Sequence, residues 1–412
     1  MPDYDSTVTS LRILVLSVGV AVGVFLPFVS VILAGLGFAP GAIGLVFALG
    51  AIAFTLAVPG WGHLADVRFG RPRTLQIGAV GAAIVLLVLL GTWPPAVVAL
   101  LFVAFWVFQS SWQPLSDAIT VNALPGRGRG YARIRWLTSL SFALGTVAAG
   151  LVFDRTGYRP AFVLAAGCAI AMAIAAAGIS DVARADLAAL RSTLTPRGAE
   201  PGGSAGHRTW HFGSAGVALR VAPRLGLVLT AVGLVHVGVI SGNTFLGLRL
   251  VALGGGPSSV ALSAGLSAAA EIPAMLLVGW AASRIGLRGL FAASAAVYAL
   301  CLASWAIADG PGPIIASRLF TGVAFAGLVV SVVLTIAALL PADLQATGQT
   351  LFQMTAFGIA AIVANVVGGV LYGSVSPAAA FALGAAMALG GAVVGWFALP
   401  GVPRSAPLPL PR

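Results

Sequence analysis

Apolar runs of about 20 residues recur along the whole chain, and this is the feature that most restricts its fold. A helix of that length crosses the hydrocarbon core of a bilayer. Charged residues make up 8% of the sequence, against about 25% in soluble domains, so they are too few to cover a globular surface. The chain is therefore predicted to be an all-α membrane protein. The first run, 13–35, is too long for a signal peptide and is predicted to be retained.

Twelve spans are predicted, and proline or glycine marks most of their ends. Their approximate limits are 11–35, 40–60, 74–92, 95–121, 134–153, 160–180, 223–250, 256–283, 289–308, 313–340, 346–374 and 377–399. The longest polar segment follows the sixth span, which predicts two separate bundles. The predicted parts are an N-terminal six-helix bundle at 1–180, a flexible cytoplasmic linker at 181–222, a C-terminal six-helix bundle at 223–400 and a cytoplasmic tail at 401–412.

Similar segments in the two halves predict that the bundles are pseudo-symmetric. Residues 149–153 read AGLVF and residues 368–372 read GGVLY, and an Ala-Phe pair follows each at the same distance. Internal repeats of this kind are a common way of building secondary transporters.

Arginine predicts the orientation, because the chain has no lysine. With the amino terminus inside, 18 of the 22 basic residues fall in cytoplasmic segments or tails. Both termini are therefore predicted to be cytoplasmic, in a multi-pass protein of the cell membrane. The net charge of +11 does not indicate nucleic-acid binding, because the arginines are dispersed among short loops.

The loop between spans two and three concentrates charge in a chain that has little of it. Residues 60–73 read GWGHLADVRFGRPR, and residues 279–288 repeat the outline as GWAASRIGLR. On the cytoplasmic side, Asp66 would lie among arginines and hold the two halves together in one state. The residues predicted to form this gate are Gly62, Asp66, Arg68, Gly70, Arg71, Arg73 and Arg284.

Polar side chains occur in some predicted spans and are scarce in others. A charged side chain at mid-membrane costs on the order of 2.5–3.5 kcal/mol, so it persists where it faces a cavity or a partner. Spans three, six, nine and twelve are almost wholly apolar, which predicts that the other spans surround a central polar path. The polar residues of those spans are Gln109, Gln113, Asp117, His236, Asn243, Glu271, Arg318, Gln349, Gln353 and Asn365.

The loop also carries a resemblance to a known family. Gly62, Leu64, Ala65 and Asp66 match the signature Gly-x-Leu-Ala-Asp-Arg-x-Gly-Arg-Arg/Lys of the major facilitator superfamily, whereas Val67 replaces its first arginine. Together with twelve spans and a long central loop, the chain resembles that superfamily over nearly its whole length. The resemblance implies the major facilitator fold, in which two six-helix bundles rock about a central site.

Three further segments are similar to one branch of the superfamily, which contains the lactose-permease-like, nucleoside and phenylpropionate proton symporters. The segments are WQPLSDA at 112–118, YARIR at 131–135 and EIP at 271–273. In the lactose permease, spans four, five and eight supply an acid, an arginine and a glutamate. The resemblance implies these roles for Asp117, Arg135 and Glu271. Arg318 falls near the basic residue of span ten in the lactose permease. The histidine and glutamate that follow it there are Thr321 and Ala324 here, so the resemblance does not extend to lactose as the solute or to the same proton relay.

The predicted function is proton-coupled symport of a small organic solute that is nucleoside-, sugar- or aromatic-acid-like. Glu271 is predicted to carry the proton. Solute contacts are predicted for Asp117, Arg135, Gln109, Gln113, His236, Asn243, Arg318, Gln349 and Gln353. The predicted partners are the solute, protons and the lipid bilayer, with no nucleic acid, cofactor or metal, and the chain is predicted to be monomeric.

Two alternatives remain at this stage. The first is a proton-driven efflux antiporter, although the Gly-Pro signature of drug exporters is missing from 145–150 in span five. The second belongs to another class, a membrane enzyme or a lipid flippase. No nucleophile paired with a base is apparent in the sequence, which disfavours the enzyme.

Overall fold

The computed structural model describes residues 4–123, 128–194, 212–342 and 344–399, and within these ranges every regular element is helical. The helices of the first half are α1 (Tyr4–Phe25), α2 (Val29–Gly35), α3 (Pro40–His63), α4 (Arg71–Val88), α5 (Pro95–Gln109), α6 (Trp112–Ala123), α7 (Gly128–Thr156) and α8 (Pro160–Leu194). Those that follow are α9 (Phe212–Val221), α10 (Arg224–Ala252), α11 (Pro257–Ile307), α12 (Pro311–Leu339), α13 (Gln345–Gln353), α14 (Ala360–Ser374) and α15 (Pro377–Ala398). The predicted all-α membrane class is confirmed.

The helices make twelve membrane traverses. Within the described residues, eleven helical segments are long and apolar enough to cross a bilayer, and one of them, Pro257–Ile307, has 51 residues. At 1.5 Å per residue it would be about 77 Å long, far more than a bilayer core of about 30 Å. Gly286 interrupts it with φ 72° and ψ 167°. The α11 helix is therefore two traverses joined by a tight turn, which confirms the predicted count.

The turn at Gly286 has a counterpart in the first half of the chain. Gly70, between α3 and α4, has φ 78° and ψ 157°. A positive φ with an extended ψ is a conformation that glycine adopts readily and other residues rarely do. The repeat seen in the two Arg-containing loops is thus present in the backbone, between the second and third traverses of each half.

Prolines mark one face of the protein. Twelve traverses place the start of α1 and the end of α15 on the same side, which we call the terminal face; the other side is the opposite face. Each traverse that begins on the opposite face begins at a proline, which suits a first helical turn because its N–H needs no partner there. These prolines are Pro40, Pro95, Pro160, Pro257, Pro311 and Pro377.

Helix packing separates the two halves. In the first half, α1 packs against α7 and α8, α4 against α8, and α3 against α5. In the second half, α10 packs against α14 and α15, and α11 against α12 and α15. The main contacts between the halves are those of α7 with α11 and of α3 with α14. The bundle limits at 180 and 223 remain a prediction.

The predicted flexible linker at 181–222 contains helix at both ends, because α8 continues to Leu194 and α9 occupies Phe212–Val221. Residues 182–194 are rich in alanine and leucine, which are strong helix formers. The middle of the linker, 195–211, and the predicted tail at 401–412 lie outside the described residues.

Candidate solute-binding site

A cavity of about 370 Å³ lies between the two halves. The first half contributes residues near the bend between α1 and α2 and one residue each from α3 and α7; α10, α11 and α12 contribute the rest. Among its lining residues the charged ones are Glu271 and Arg318. The lining residues on which the site depends are Phe47, Phe142, Asn243, Ser263, Glu271, Tyr298, Arg318 and Phe325.

Arg318 is held in the cavity wall by neighbouring helices. It lies in the second turn of α12 and is only 8% exposed. Its Nε donates to the backbone oxygen of Ser263 at 3.2 Å, and its Nη1 donates to Oδ1 of Asn243 at 2.9 Å. Its guanidinium carbon lies 5.5 Å from the ring centroid of Trp305. Hydrogen bonds and an aromatic face stabilise a buried cation, so this arginine is positioned by α10 and by both traverses of α11.

Glu271 lines the same cavity from the first traverse of α11. Tyr298, in the second traverse, lies within electrostatic range of both Glu271 and Arg318. Pro273 follows two residues after the glutamate. Because proline has no N–H, a carbonyl one turn earlier loses its helical hydrogen bond, which makes this part of α11 locally more polar. The two charges therefore face one cavity from two different helices.

A buried polar cluster continues beside Asn243. The next residue, Thr244, donates to Oδ1 of Asn365 in α14 at 2.7 Å. On the α11 side, Ser267 Oγ lies 3.4 Å from Thr321 Oγ1 of α12. Interhelical hydrogen bonds of this kind hold membrane helices in register. Much of the polar lining thus contacts other polar groups of the cavity wall.

The structure brings three of the predicted site residues together: Asn243, Glu271 and Arg318 all line the cavity. The other predicted site residues whose side chains the structure describes do not line it. Gln113 Nε2 donates to Asp117 Oδ1 at 2.9 Å on α6. Gln349 Nε2 donates to the backbone oxygen of Val333 at 3.2 Å.

Four predicted solute contacts remain: two glutamines, a histidine and the arginine of span five. Gln109 is buried at the end of α5, and Gln353 is exposed at the end of α13. His236 packs in the second half, away from the cavity lining. The side chain of Arg135 lies outside the described residues. Solute contact at these four positions stays a prediction.

The predicted gate loop forms contacts within itself in this conformation. Arg71 Nη2 lies 3.6 Å from Asp66 Oδ1, and both side chains are well exposed. Arg68 lies 5.3 Å from the Phe69 ring, and Arg284 lies 5.2 Å from the Trp280 ring. On the same side, α6 packs against α1, α4 and α7, and α13 packs against α9, α10 and α12. These terminal-side helices contact their own halves, and the gating role of the loop remains a prediction.

Close contacts between the halves lie on the opposite face, at residues that were not predicted to belong to the solute site or the gate. A Cβ on Gly44 of α3 would collide with the backbone oxygen of Asn365, and one on Gly369 would lie 2.9 Å from the backbone oxygen of Pro40. Asp154 Oδ1 accepts a hydrogen bond from Ser258 N at 3.0 Å. The spacing of Gly369 and Gly373, with three residues between them, was a signal for close helix packing.

The MFS_1 like family matches residues 9–383. The maltose permease of Geobacillus stearothermophilus is 28% identical over 358 residues, covering 85% of this chain and 84% of the permease. The "Probable 3-phenylpropionic acid transporter" of Escherichia coli (strain K12) is 29% identical over 181 residues, covering 43% of this chain and 44% of that protein.

Among solved structures, a point mutant of the nucleoside transporter NupG superposes with a TM-score of 0.75 at 19% identity, covering 95% of this chain and 98% of that one. This likeness confirms the major facilitator fold. The relatives and the structural neighbour are transporters, which confirms that the chain is a transporter and not an enzyme. The chain belongs to the MFS_1 like family, and it is a multi-pass membrane transporter of the major facilitator superfamily.

Proposed function

We propose that the protein is a proton-coupled symporter that moves a small organic solute by alternating access. The observation that carries this proposal is the placement of Glu271 in the wall of the cavity between the two halves, opposite helices of the first half. A carboxylate within a membrane helix is costly, and such residues commonly mark proton and solute pathways. Glu271 takes up a proton on one side of the membrane and releases it on the other.

The coupling follows from the cost of moving a charge through hydrocarbon. In the solute-free protein the charge of an ionised Glu271 is balanced by Arg318, which lines the same cavity, so the empty cavity can close and reopen. Protonation removes the negative charge and leaves Arg318 unbalanced, so closure of the protonated cavity is unfavourable until solute binds. The solute and the proton bind in the same cavity. Binding of either one therefore changes the free energy of binding of the other, and this is the condition for coupled transport.

The contacts between the halves support alternating access. The close contacts of α3 with α14 and of α7 with α11 lie on the opposite face, while α6 and α13 on the terminal side pack within their own halves. Rocking about the central cavity would exchange the closed and the open side. With the predicted cytoplasmic termini, this conformation is the one that releases solute into the cell.

The solute classes come from the relatives. Maltose permease and the 3-phenylpropionic acid transporter are named for a sugar and an aromatic acid, and NupG for nucleosides. An exporter by proton exchange is the second candidate. The direction of proton movement separates the two, because symport carries protons with the solute and exchange carries them against it.

The test uses purified protein in proteoliposomes with a pH-sensitive dye inside. Maltose, uridine or 3-phenylpropionate is added outside without a pH gradient. Symport acidifies the lumen when the transported solute is added, whereas exchange makes it alkaline. An enzyme or a flippase produces neither change. Luminal alkalinisation, or solute uptake with no pH change, would refute the proposed symport.

The role of Glu271 is tested by Glu271→Gln, which keeps the shape of the side chain but cannot release a proton. We expect accumulation driven by a pH gradient to fall to the level of empty liposomes, while exchange of internal for external solute persists. Asp309→Asn, the same change in the exposed loop between α11 and α12, is the control and should keep both activities. Full gradient-driven accumulation by Glu271→Gln would contradict the role.

A further inference from the structure

We propose that the solute is a small aromatic carboxylate, bound through its carboxylate group by Arg318 and Ser263. This inference rests on the proposed function, because it names the solute of the same cavity. It draws on three features of the cavity wall: the donors available at Arg318, the hydroxyl of Ser263, and the balance of charge between Arg318 and Glu271.

The guanidinium of Arg318 has donors to spare. An arginine carries five N–H groups in a planar fork. Within the described part of the chain, its hydrogen bonds use Nε, towards the Ser263 backbone, and Nη1, towards Asn243. Trp305 lies 5.5 Å from its guanidinium carbon. Because Arg318 lines the cavity, the remaining donors of the fork are available to an acceptor placed there.

Ser263 supplies the second observation. Ser263 is 2% exposed and is one of the residues that line the cavity, and its Oγ has no hydrogen-bond partner among the described residues. A buried hydroxyl without a partner costs free energy in a membrane protein as in a soluble one. A ligand oxygen in the cavity, next to Arg318, would satisfy it. A carboxylate suits this pair, because its two oxygens accept from a guanidinium and a hydroxyl together.

The charge of the cavity favours an anionic solute that travels with a proton. Of the residues known to line it, Glu271 and Arg318 are charged. With Glu271 ionised and no solute, these two charges cancel. With Glu271 protonated and a carboxylate bound, they cancel again. A neutral solute with protonated Glu271 would leave an uncompensated positive charge inside the membrane, which is costly. When the solute is a monoanion, the cavity is neutral both when it is empty with Glu271 ionised and when it is loaded with Glu271 protonated.

The rest of the wall suits a single aromatic ring. Phe47 and Phe142 of the first half and Phe325 of the second line the cavity. Its volume of about 370 Å³ is near the lower end of ligand pockets, which favours one ring over a disaccharide. A sugar needs many polar partners, yet Thr244 and Ser267 contact other polar side chains of the wall. The available polar groups are concentrated where the carboxylate binds.

The binding test measures thermal stabilisation of the purified full chain by benzoate, phenylacetate and 4-hydroxybenzoate, each beside its neutral amide. We expect stabilisation by at least one carboxylate and by none of the amides. Ser263→Ala should weaken binding of that carboxylate roughly 10-fold, the value of a hydrogen bond to a charged group. It should leave the melting temperature of the unliganded protein unchanged or raise it, because the hydroxyl has no partner to lose and its burial is unfavourable. Arg318→Lys keeps the charge but loses the fork, and it should weaken binding further.

Ser331→Ala is the matched control. Ser331 is a fully buried serine of α12 that donates to the Leu328 backbone, away from the cavity. This variant should bind the carboxylate as the parent protein does. The proposal is overturned if no carboxylate stabilises the protein, if an amide does so equally well, or if Ser263→Ala binds with unchanged affinity.

A transport measurement separates this inference from the proposed function. Uptake of the stabilising carboxylate should acidify the proteoliposome lumen and produce no electrical current on a supported membrane, because one negative charge and one proton move together. Proton influx driven only by a neutral sugar or nucleoside would support the proposed symport and contradict the proposal of an anionic solute. Carboxylate binding that depends on Ser263, without proton influx, would support the proposed solute class and contradict the proposed symport.

Discussion

His236 shows how a polar residue in a membrane helix is used for packing. It is 1% exposed on α10, and its Nδ1 lies 2.9 Å from the backbone oxygen of Val232. The rings of Phe352 and Phe357 lie 6.1 Å and 5.4 Å from its own. Among the described residues, its Nε2 has no hydrogen-bond partner. Asn243, seven residues further along the same helix, reaches Arg318 and the cavity.

This contrast predicts different effects of the same substitution at the two positions. We expect His236→Leu to change the unfolding free energy by less than about 1 kcal/mol, or to increase it, because an apolar side chain replaces an unsatisfied polar one. Asn243→Leu should cost about 1–3 kcal/mol, because it leaves a donor of Arg318 unpaired. Thermal unfolding in detergent and solute uptake measure both. Loss of uptake in a stable His236→Leu protein would instead support the predicted contact between His236 and the solute.

At the scale of helices, glycine decides how closely α3 and α14 approach. Gly44 lies against the backbone of Asn365 and Gly369 on α14, so there is no space for a side chain between the two helices. Small residues permit such backbone contact in membranes, where packing rather than the hydrophobic effect drives association. Gly60, four turns further along α3, has open space where its Cβ would be. The contact therefore belongs to the end of α3 on the opposite face.

Gly44→Ala is expected to separate the two halves on the opposite face. Overpacking typically costs 1–3 kcal/mol, enough to shift the populations of the two conformations about 10-fold. Spin labels at Thr92 and Asp309, in loops of the two halves on that face, should report a longer distance after Cys168 and Cys301 are replaced. Gly60→Ala on the same helix should leave the distance unchanged. An unchanged distance in Gly44→Ala would show that this contact does not control closure.

For the whole molecule, the contact between α7 and the start of α11 joins the two halves on the opposite face. Asp154, in the last turn of α7, accepts a hydrogen bond from the backbone N–H of Ser258 at the first turn of α11. A carboxylate at a helix amino terminus satisfies a free N–H and interacts favourably with the helix dipole. One half thus caps a helix of the other, and this interaction exists only while that face is closed.

Asp154→Ala should therefore favour the conformation that is open on the opposite face. The expected loss is about 0.3–1 kcal/mol, typical of an exposed charge at a helix end. The same spin-label pair should show a larger fraction of the long distance. Asp154→Asn keeps an acceptor oxygen and should have a smaller effect, and raised salt should reduce the difference between the two. Equal distance distributions in all three proteins would exclude the cap as a stabilising contact.

Some features could be read from single segments of the chain. The number of traverses followed from apolar length, because bilayer thickness sets it locally. The correspondence between the loops at 60–73 and 279–288 followed from their repeated residues, whereas the positive φ of Gly70 and Gly286 was seen only in the structure. Glu271 and Arg318 were identifiable because charge within an apolar run is rare. The prediction of a flexible linker from residue 181 missed the continuation of α8 to Leu194. This segment contains strong helix formers, but its polar residues favoured the prediction of a linker.

The sequence by itself determined the class, the twelve traverses, the repeat and the charged residues of the membrane region, since each depends on local length, composition or spacing. Only the tertiary structure decided which polar residues meet. Gln113, Asp117, His236 and Asn243 were all predicted to contact the solute, yet only Asn243 among them lines the cavity. The reason is physical: a side chain's direction depends on the rotation of its helix, and contacts between residues far apart in the chain set that rotation.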